Sequence, residues 1–155
     1  MKSMPRSRLI GLSSGVRLVL DTNTALSGLL WGGPPGRLIA AAEAAKVELI
    51  GSVALLTELR NVLTRKKFAQ PLARRGVSHA EIFEYYLALV SIAVPALIMP
   101  AIPRDPADDM VLATALGGQV DMIVSGDAHL PNLKSFQGIT IVTATTAVGH
   151  LDRGV

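Results

Sequence analysis

The chain has no cysteine. Disulfides and thiolate metal sites are excluded, and a reducing compartment is the expected setting. Aromatics are scarce, with one Trp, two Tyr and three Phe in 155 residues. Charged residues make up only 17% and the net charge is +3, so with half the residues hydrophobic a disordered chain is excluded too. The longest apolar stretch, "YYLALVSIAVPALIMP", is interrupted by Ser91 and Pro95 and falls short of a membrane span of about 20 residues. The basic start, "MKSMPRSRLIGLSSGV", has only Leu9 and Ile10 as an apolar core, where a signal peptide needs about seven or more. Residues 1–16 are expected to be a flexible lead-in to one domain over 17–155, and the protein is expected to be cytoplasmic.

What is present is Ala, Leu, Val and Ile, a balance that suits helices packed on a sheet. Five short continuous apolar runs read as buried strands: Arg17–Asp21, Val47–Gly51, Ala96–Met99, Asp121–Ser125 and Ile139–Thr143. Helical patterns separate them. "GRLIAAAEAAK" is alanine-rich. "SVALLTELRNVLTRKKF" opens on Ser52 as a cap, and "SHAEIFEYYLALVSIA" has Ser78 and Glu81 in capping-box spacing. "DPADDMVLATALGG" has Pro106 at a first helical position and Gly117–Gly118 as its stop. The alternation predicts an α/β fold, a three-layer α/β/α sandwich around a mostly parallel sheet of four to five strands. Ligands in such sheets bind at the carboxyl ends of the strands.

That rule sorts the acids. Asp21 ends the first strand in "RLVLDTNT". Asp127 follows the fourth, in "DMIVSGDAHL", whereas Asp121 begins that strand and belongs to the opposite edge. Glu58 lies inside the helix after the second strand, and Asp105, Asp108 and Asp109 cluster at a helix start. Each has an ordinary explanation: Asp21 and Asp105 as helix caps, Glu58 as a solvated helix residue, Asp127 as turn chemistry. Converging on one edge, however, such carboxylates would repel one another unless a cation sat among them. Hard oxygen donors without Cys or clustered His suit Mg²⁺ or Mn²⁺. Thr22, Asn23 and Ser125 stand nearby to orient the carboxylates or waters.

"VLDTNTALSGL", Glu58 in "LLTELRNVL", "RDPADDMVLATAL" and "DMIVSGDAHL" together resemble the four acidic motifs of the PIN-domain nucleases. The likeness is strongest to the bacterial toxins of toxin–antitoxin systems related to VapC. It runs over roughly residues 17 to 150. The resemblance implies Mg²⁺- or Mn²⁺-dependent hydrolysis of RNA, with Asp21, Glu58, Asp109 and Asp127 as the catalytic, metal-holding acids. Asp109 is preferred over Asp108 because "MVLATA" matches the family's run after its third acid, and Asp105 is a further possible ligand. It also implies an antitoxin partner and a homodimer, for which the apolar Ile82–Val90 region is a candidate surface.

Arg60, Arg65, Lys66, Lys67, Arg74 and Arg75 fall in one stretch without an acid, a pattern that either solvates a helix face or holds RNA phosphates. Trp31, Phe68, Tyr85 and Tyr86 are the candidates for base stacking, with core packing expected of most of them; Trp31, beside "GGPPG", is the one expected to be exposed. His79, His129 and His150 are scattered and read as structural or solvated rather than as a general base, with a substrate contact the alternative for His129, close after Asp127. A haloacid-dehalogenase-like phosphatase would need a second Asp where Asn23 stands. A dinucleotide-binding domain would need a glycine motif that is absent. A non-catalytic RNA- or protein-binding module of the same fold is the alternative from another class, and loss of acids would mark it.

Overall fold

In the computed structural model, residues 15–99, 106–126 and 135–153 are described. Strand β1 (Val16–Leu20) is buried on both faces, Leu18 and Leu20 towards one layer and Val19 towards the other. It pairs in parallel with β2 (Val47–Gly51) on one side and β4 (Met122–Val124) on the other. Outside β2 lies β3 (Val90–Ile92), and outside β4 lies β6 (Ile139–Val142), both parallel. The two-residue β5 (Ser135–Phe136) closes the far edge antiparallel to β6. Its turn uses positive φ at Gln137 and Gly138, the geometry that matches strand twist in tight hairpins. The order is β3-β2-β1-β4-β6-β5.

Seven helices join the strands among the described residues: α1 (Thr22–Leu30), α2 (Gly33–Glu43), α3 (Val53–Leu63), α4 (Ala69–Arg75), α5 (His79–Leu89), α6 (Pro106–Gly118) and α7 (Ala144–Asp152). A short 3₁₀ turn, Lys66–Phe68, precedes α4. All but α6 cover one face, where Leu18, Leu49 and Val124 meet Leu26, Leu38, Leu59 and Phe83. On the other face, Val19, Ile50 and Ile123 meet Val111, Leu112 and Ala115 of α6. This is the expected three-layer α/β/α sandwich with a mostly parallel sheet.

The caps form as the sequence spacing suggests. Ser52 Oγ accepts from Leu55 N, and Ser78 and Glu81 make both bonds of a capping box. Two expectations are corrected. Ala96–Met99 is not a strand: Ala96 N donates to Ala113 O of α6 rather than to the sheet, and Leu97 and Met99 are exposed. The third strand is instead the β-branched end of the segment read as helix, Val90–Ile92, which pairs with Leu49–Gly51. The sheet has six strands, not four to five; a two-residue strand leaves no periodicity to read. Helix α6 does stop at Gly118, as expected, but neither glycine is the left-handed residue. Gln119 is, with φ 54°, while Gln119 N and Val120 N return to Leu116 O and Ala115 O, the Schellman arrangement. The glycines are there for space: a Cβ on Gly117 would lie 2.0 Å from Val94 O, and one on Gly118 2.6 Å from Ile50 Cγ2.

At the amino ends of the strands Arg17 forms a clamp. Its guanidinium donates to Glu48 and to Gly118 O, both at 2.6 Å, and Arg17 N donates to Asp121 Oδ2. Asp121 therefore belongs to the edge opposite Asp21, as expected. Among the described residues no helix is long and apolar enough to cross a membrane.

Candidate active site

Chain order runs from β1 outward to β2 and β3, then returns to β4 on the other side of β1. The strands on either side of the β1–β4 boundary send their connections in opposite directions, which opens a crevice at the carboxyl edge. Asp21 sits there. Its N–H donates to Val124 O at 3.1 Å, and Ser125 N donates to Val142 O at 2.9 Å, so the ends of β1, β4 and β6 are pinned together.

Asp21 does two things at once. Oδ1 accepts from Thr24 N at 2.8 Å and caps α1, which realises the ordinary reading of this residue. Oδ2 accepts from Ser125 Oγ at 2.5 Å. The carboxylate is 7% exposed and Ser125 is fully buried. A carboxylate offers about four acceptor positions, so with one bond on each oxygen Asp21 retains capacity for a cation. A buried anion is costly unless donors or a positive charge compensate it.

Thr22, one residue on, donates its hydroxyl to Glu58 Oε1 at 2.7 Å. The half-buried Glu58 of α3 is thereby tied to the start of α1, next to Asp21. Asn23 does not share these bonds. It is exposed and lines a cleft of about 260 Å³ with Thr24, Ser27, Pro35, Gly126 and Ala144.

Asp108 and Asp109 occupy the first turn of α6. Asp108 is 8% exposed and shares a buried face with Val111, Leu112 and Ala115, at helical spacing of three, four and seven. Asp109 is half-buried beside it. The apolar "MVLATAL" hid this phase in the sequence; burial of the whole helix face shows it. Asp105, Asp127 and His129 lie outside the described residues. Among the described residues no three acids or histidines stand close enough together to hold a metal ion.

Two features escaped sequence reasoning. Tyr86 of α5, read as core, is indeed buried, but it stands close enough to Asp21 to feel its charge. Burial pushes the Tyr86 hydroxyl far above the usual phenol range, and the Asp21 carboxylate adds to the shift. Thr114 of α6 donates to Ser52 Oγ at 2.9 Å, both side chains fully buried. That bond links the cap of the Glu58 helix to the helix carrying Asp108 and Asp109. Neither residue has a local sequence signal, because the contact joins positions far apart in the chain.

The six basic residues are all exposed: Arg60 on α3, Arg65 capping the 3₁₀ turn, Lys66 and Lys67 in it, and Arg74 and Arg75 on α4. They attach to the far end of α1 from Asp21: Arg75 Nε donates to Leu30 O at 2.9 Å, and Phe68 packs edge-on against Trp31. Trp31 is 56% exposed, as expected. In the Ile82–Val90 region, Ile82, Phe83 and Tyr86 are spent on the core.

A parallel α/β sandwich with an acid at its switch point and further acids on two flanking helices defines a PIN-like nuclease fold. The family model of the PIN domain matches residues 17–129, and the chain belongs to that family. PIN domains are typically nucleases and generally use divalent metals, and carboxylates are the hard oxygen donors that such ions take. No curated protein matches the chain.

Proposed function

We propose that the protein is a divalent-metal-dependent ribonuclease that hydrolyses RNA phosphodiester bonds. The observation that carries this reading is Asp21, a buried carboxylate held by Ser125 and Thr24 at the switch point, with Glu58 fixed beside it through Thr22. Family membership supports the nuclease class.

In this reading Asp21, Asp109 and Asp127 would hold Mg²⁺ or Mn²⁺, with Glu58 and Asp105 as further ligands, and the burial of Asp108 makes it a second candidate on α6. The ion would lower the pKa of a bound water and stabilise charge on the phosphoryl oxygens. Ser125 fixes the rotamer of Asp21 by its hydrogen bond. Thr22 ties Glu58 to the start of α1, and Glu58 would orient the attacking water and accept its proton. In-line attack at phosphorus leaves a 5′-phosphate and a 3′-hydroxyl, with no covalent enzyme intermediate.

The resemblance of the four motifs to the VapC-like branch supports the finer reading, a toxin whose protein antitoxin covers the cleft, acting in the cytoplasm as a homodimer. The test is cleavage of a mixed RNA pool with Mg²⁺ or Mn²⁺, against a chelator and against Asp108→Asn and Asp109→Asn. Cleavage that needs metal and falls in at least one α6 variant supports the reading. A folded protein that binds RNA but cuts none under either metal would replace it with the non-catalytic module.

A further inference from the structure

Only three α1 side chains are not buried: Thr22, Asn23 and Ser27. Asn23, Ser27 and the capping residue Trp31 follow at intervals of four, so they form one stripe along the helix. The stripe starts beside Asp21, and nine residues of α1 make it about 13 Å long. The cleft lined by Asn23, Ser27 and Gly126 runs along its first part. Its far end is unusual for a surface. Trp31 is 56% exposed, its ring meets Phe68 edge-on at 6.0 Å, and Lys67 Nζ sits 5.2 Å from the Phe68 ring centre.

The basic segment packed at that end carries no acid of its own between Arg60 and Arg75, and Glu81 of α5 lines the neighbouring cleft with Gly32 and Arg75. Among the described residues the only ion pairs are Arg17–Glu48 and Arg37–Asp152, so Lys66 and Lys67 have no ion-pair partner. An exposed aromatic ring beside uncompensated cations matches what single-stranded nucleic acid offers, a base face and a phosphate chain.

We propose that Trp31 with Lys66 and Lys67 forms a stacking platform for single-stranded RNA, with the strand running along Asn23 and Ser27 to Asp21. A duplex hides its base faces in the stack and has none to lay on Trp31. The proposal adds a strand-binding surface to the ribonuclease reading and rests on it for the choice of RNA.

Trp31 is the sole tryptophan, so its fluorescence reports the platform alone. The wild-type protein in a chelator, where the strand is not cut, is titrated with a ten-nucleotide oligouridylate and with an RNA duplex of equal length. The expected result is saturable quenching by the single strand and little by the duplex. By anisotropy of a labelled strand, Trp31→Ala lowers affinity about 5- to 100-fold, while Trp31→Phe keeps most of it. Lys66→Ala with Lys67→Ala reduces the slope of log affinity against log salt by about 1.4. Absence of quenching, equal quenching by the duplex, or unchanged affinity in Trp31→Ala overturns the platform. Cleavage measured in parallel separates the two ideas: a protein that cuts with metal but shows no Trp31 response keeps the nuclease and loses the platform. Quenching without cleavage under any metal does the reverse.

Discussion

Replacing Ser125 by Ala removes one oxygen from a site that is fully buried and leaves the surrounding packing intact. That oxygen donates at 2.5 Å to Oδ2 of Asp21, itself 7% exposed. Water cannot easily take its place, so the carboxylate loses a charge-assisted donor without recovering solvation. Hydrogen bonds to charged groups are worth about 1.5–3 kcal/mol. For a domain of this size each kcal/mol shifts the melting temperature by about 2–4 °C, so Ser125→Ala is expected to melt lower by about 3–12 °C. Asp21→Asn retains a good helix cap but offers Ser125 a weaker, neutral acceptor. The cycle formed with the double variant should therefore show a coupling of about 1 kcal/mol or more. Urea unfolding at pH 7, followed by circular dichroism, measures all four proteins. Additive effects, or a Ser125→Ala protein as stable as the parent, would refute the claim that this bond secures Asp21.

Three further expectations test the frame around the site. A Cβ on Gly28 would lie 2.8 Å from Ile39 Cδ1 and 2.9 Å from the Pro35 carbonyl carbon and oxygen, so Gly28→Ala should cost about 1–3 kcal/mol in urea unfolding despite the better helix propensity of Ala. Ala45 adopts φ 62° after α2, where Ala45 N and Lys46 N return to Ala42 O and Ala41 O; Ala45→Gly removes a left-handed Cβ penalty of about 1–2 kcal/mol less about 0.5–1 for chain entropy, and should raise the melting temperature by a few degrees. The Tyr86 hydroxyl is raised above its unfolded value of 10.0, by burial first and then by Asp21. Its neutral form stabilises the fold fully below pH 10, and that contribution is lost as pH rises beyond 10. Stability should then fall by up to about 1.4 kcal/mol per pH unit, less steeply in Tyr86→Phe; identical profiles from pH 9 to 11 would contradict the placement of Tyr86.

Much of this was legible in the sequence because it is local. The abrupt stop of "RLVL" at Asp21, the Ser52 cap and the Ser78–Glu81 box are each set within four residues, and each forms. The layer architecture follows from continuous apolar runs alternating with helical ones. The misplaced third strand shows the limit. "LALVSIAVPALIM" is apolar throughout, so no period separates helix, strand and coil; pairing of Val90–Ile92 with β2 and the bond from Ala96 to α6 decide it. The same holds at the site. Ser125 and Thr22 could be named as neighbours of the acids, but that one holds Asp21 and the other Glu58 depends on strands and helices far apart in sequence. Asp108 and Asp109 are adjacent ahead of an apolar run, so helical phase does not separate them in the sequence; the burial of Asp108 does. The link from Thr114 to Ser52 had no signal at all.

The central claim is that Asp21 belongs to a metal-binding centre rather than serving only as the cap of α1. Calorimetric titration of the protein with Mn²⁺ at pH 7, for the wild type and for Asp21→Asn, tests it directly, since Asn preserves the cap and removes the charge. Saturable binding by the wild type that weakens at least tenfold in a folded Asp21→Asn protein is the predicted result. Equal Mn²⁺ binding by the two, or none by a wild type that still cleaves RNA in a chelator, would contradict it.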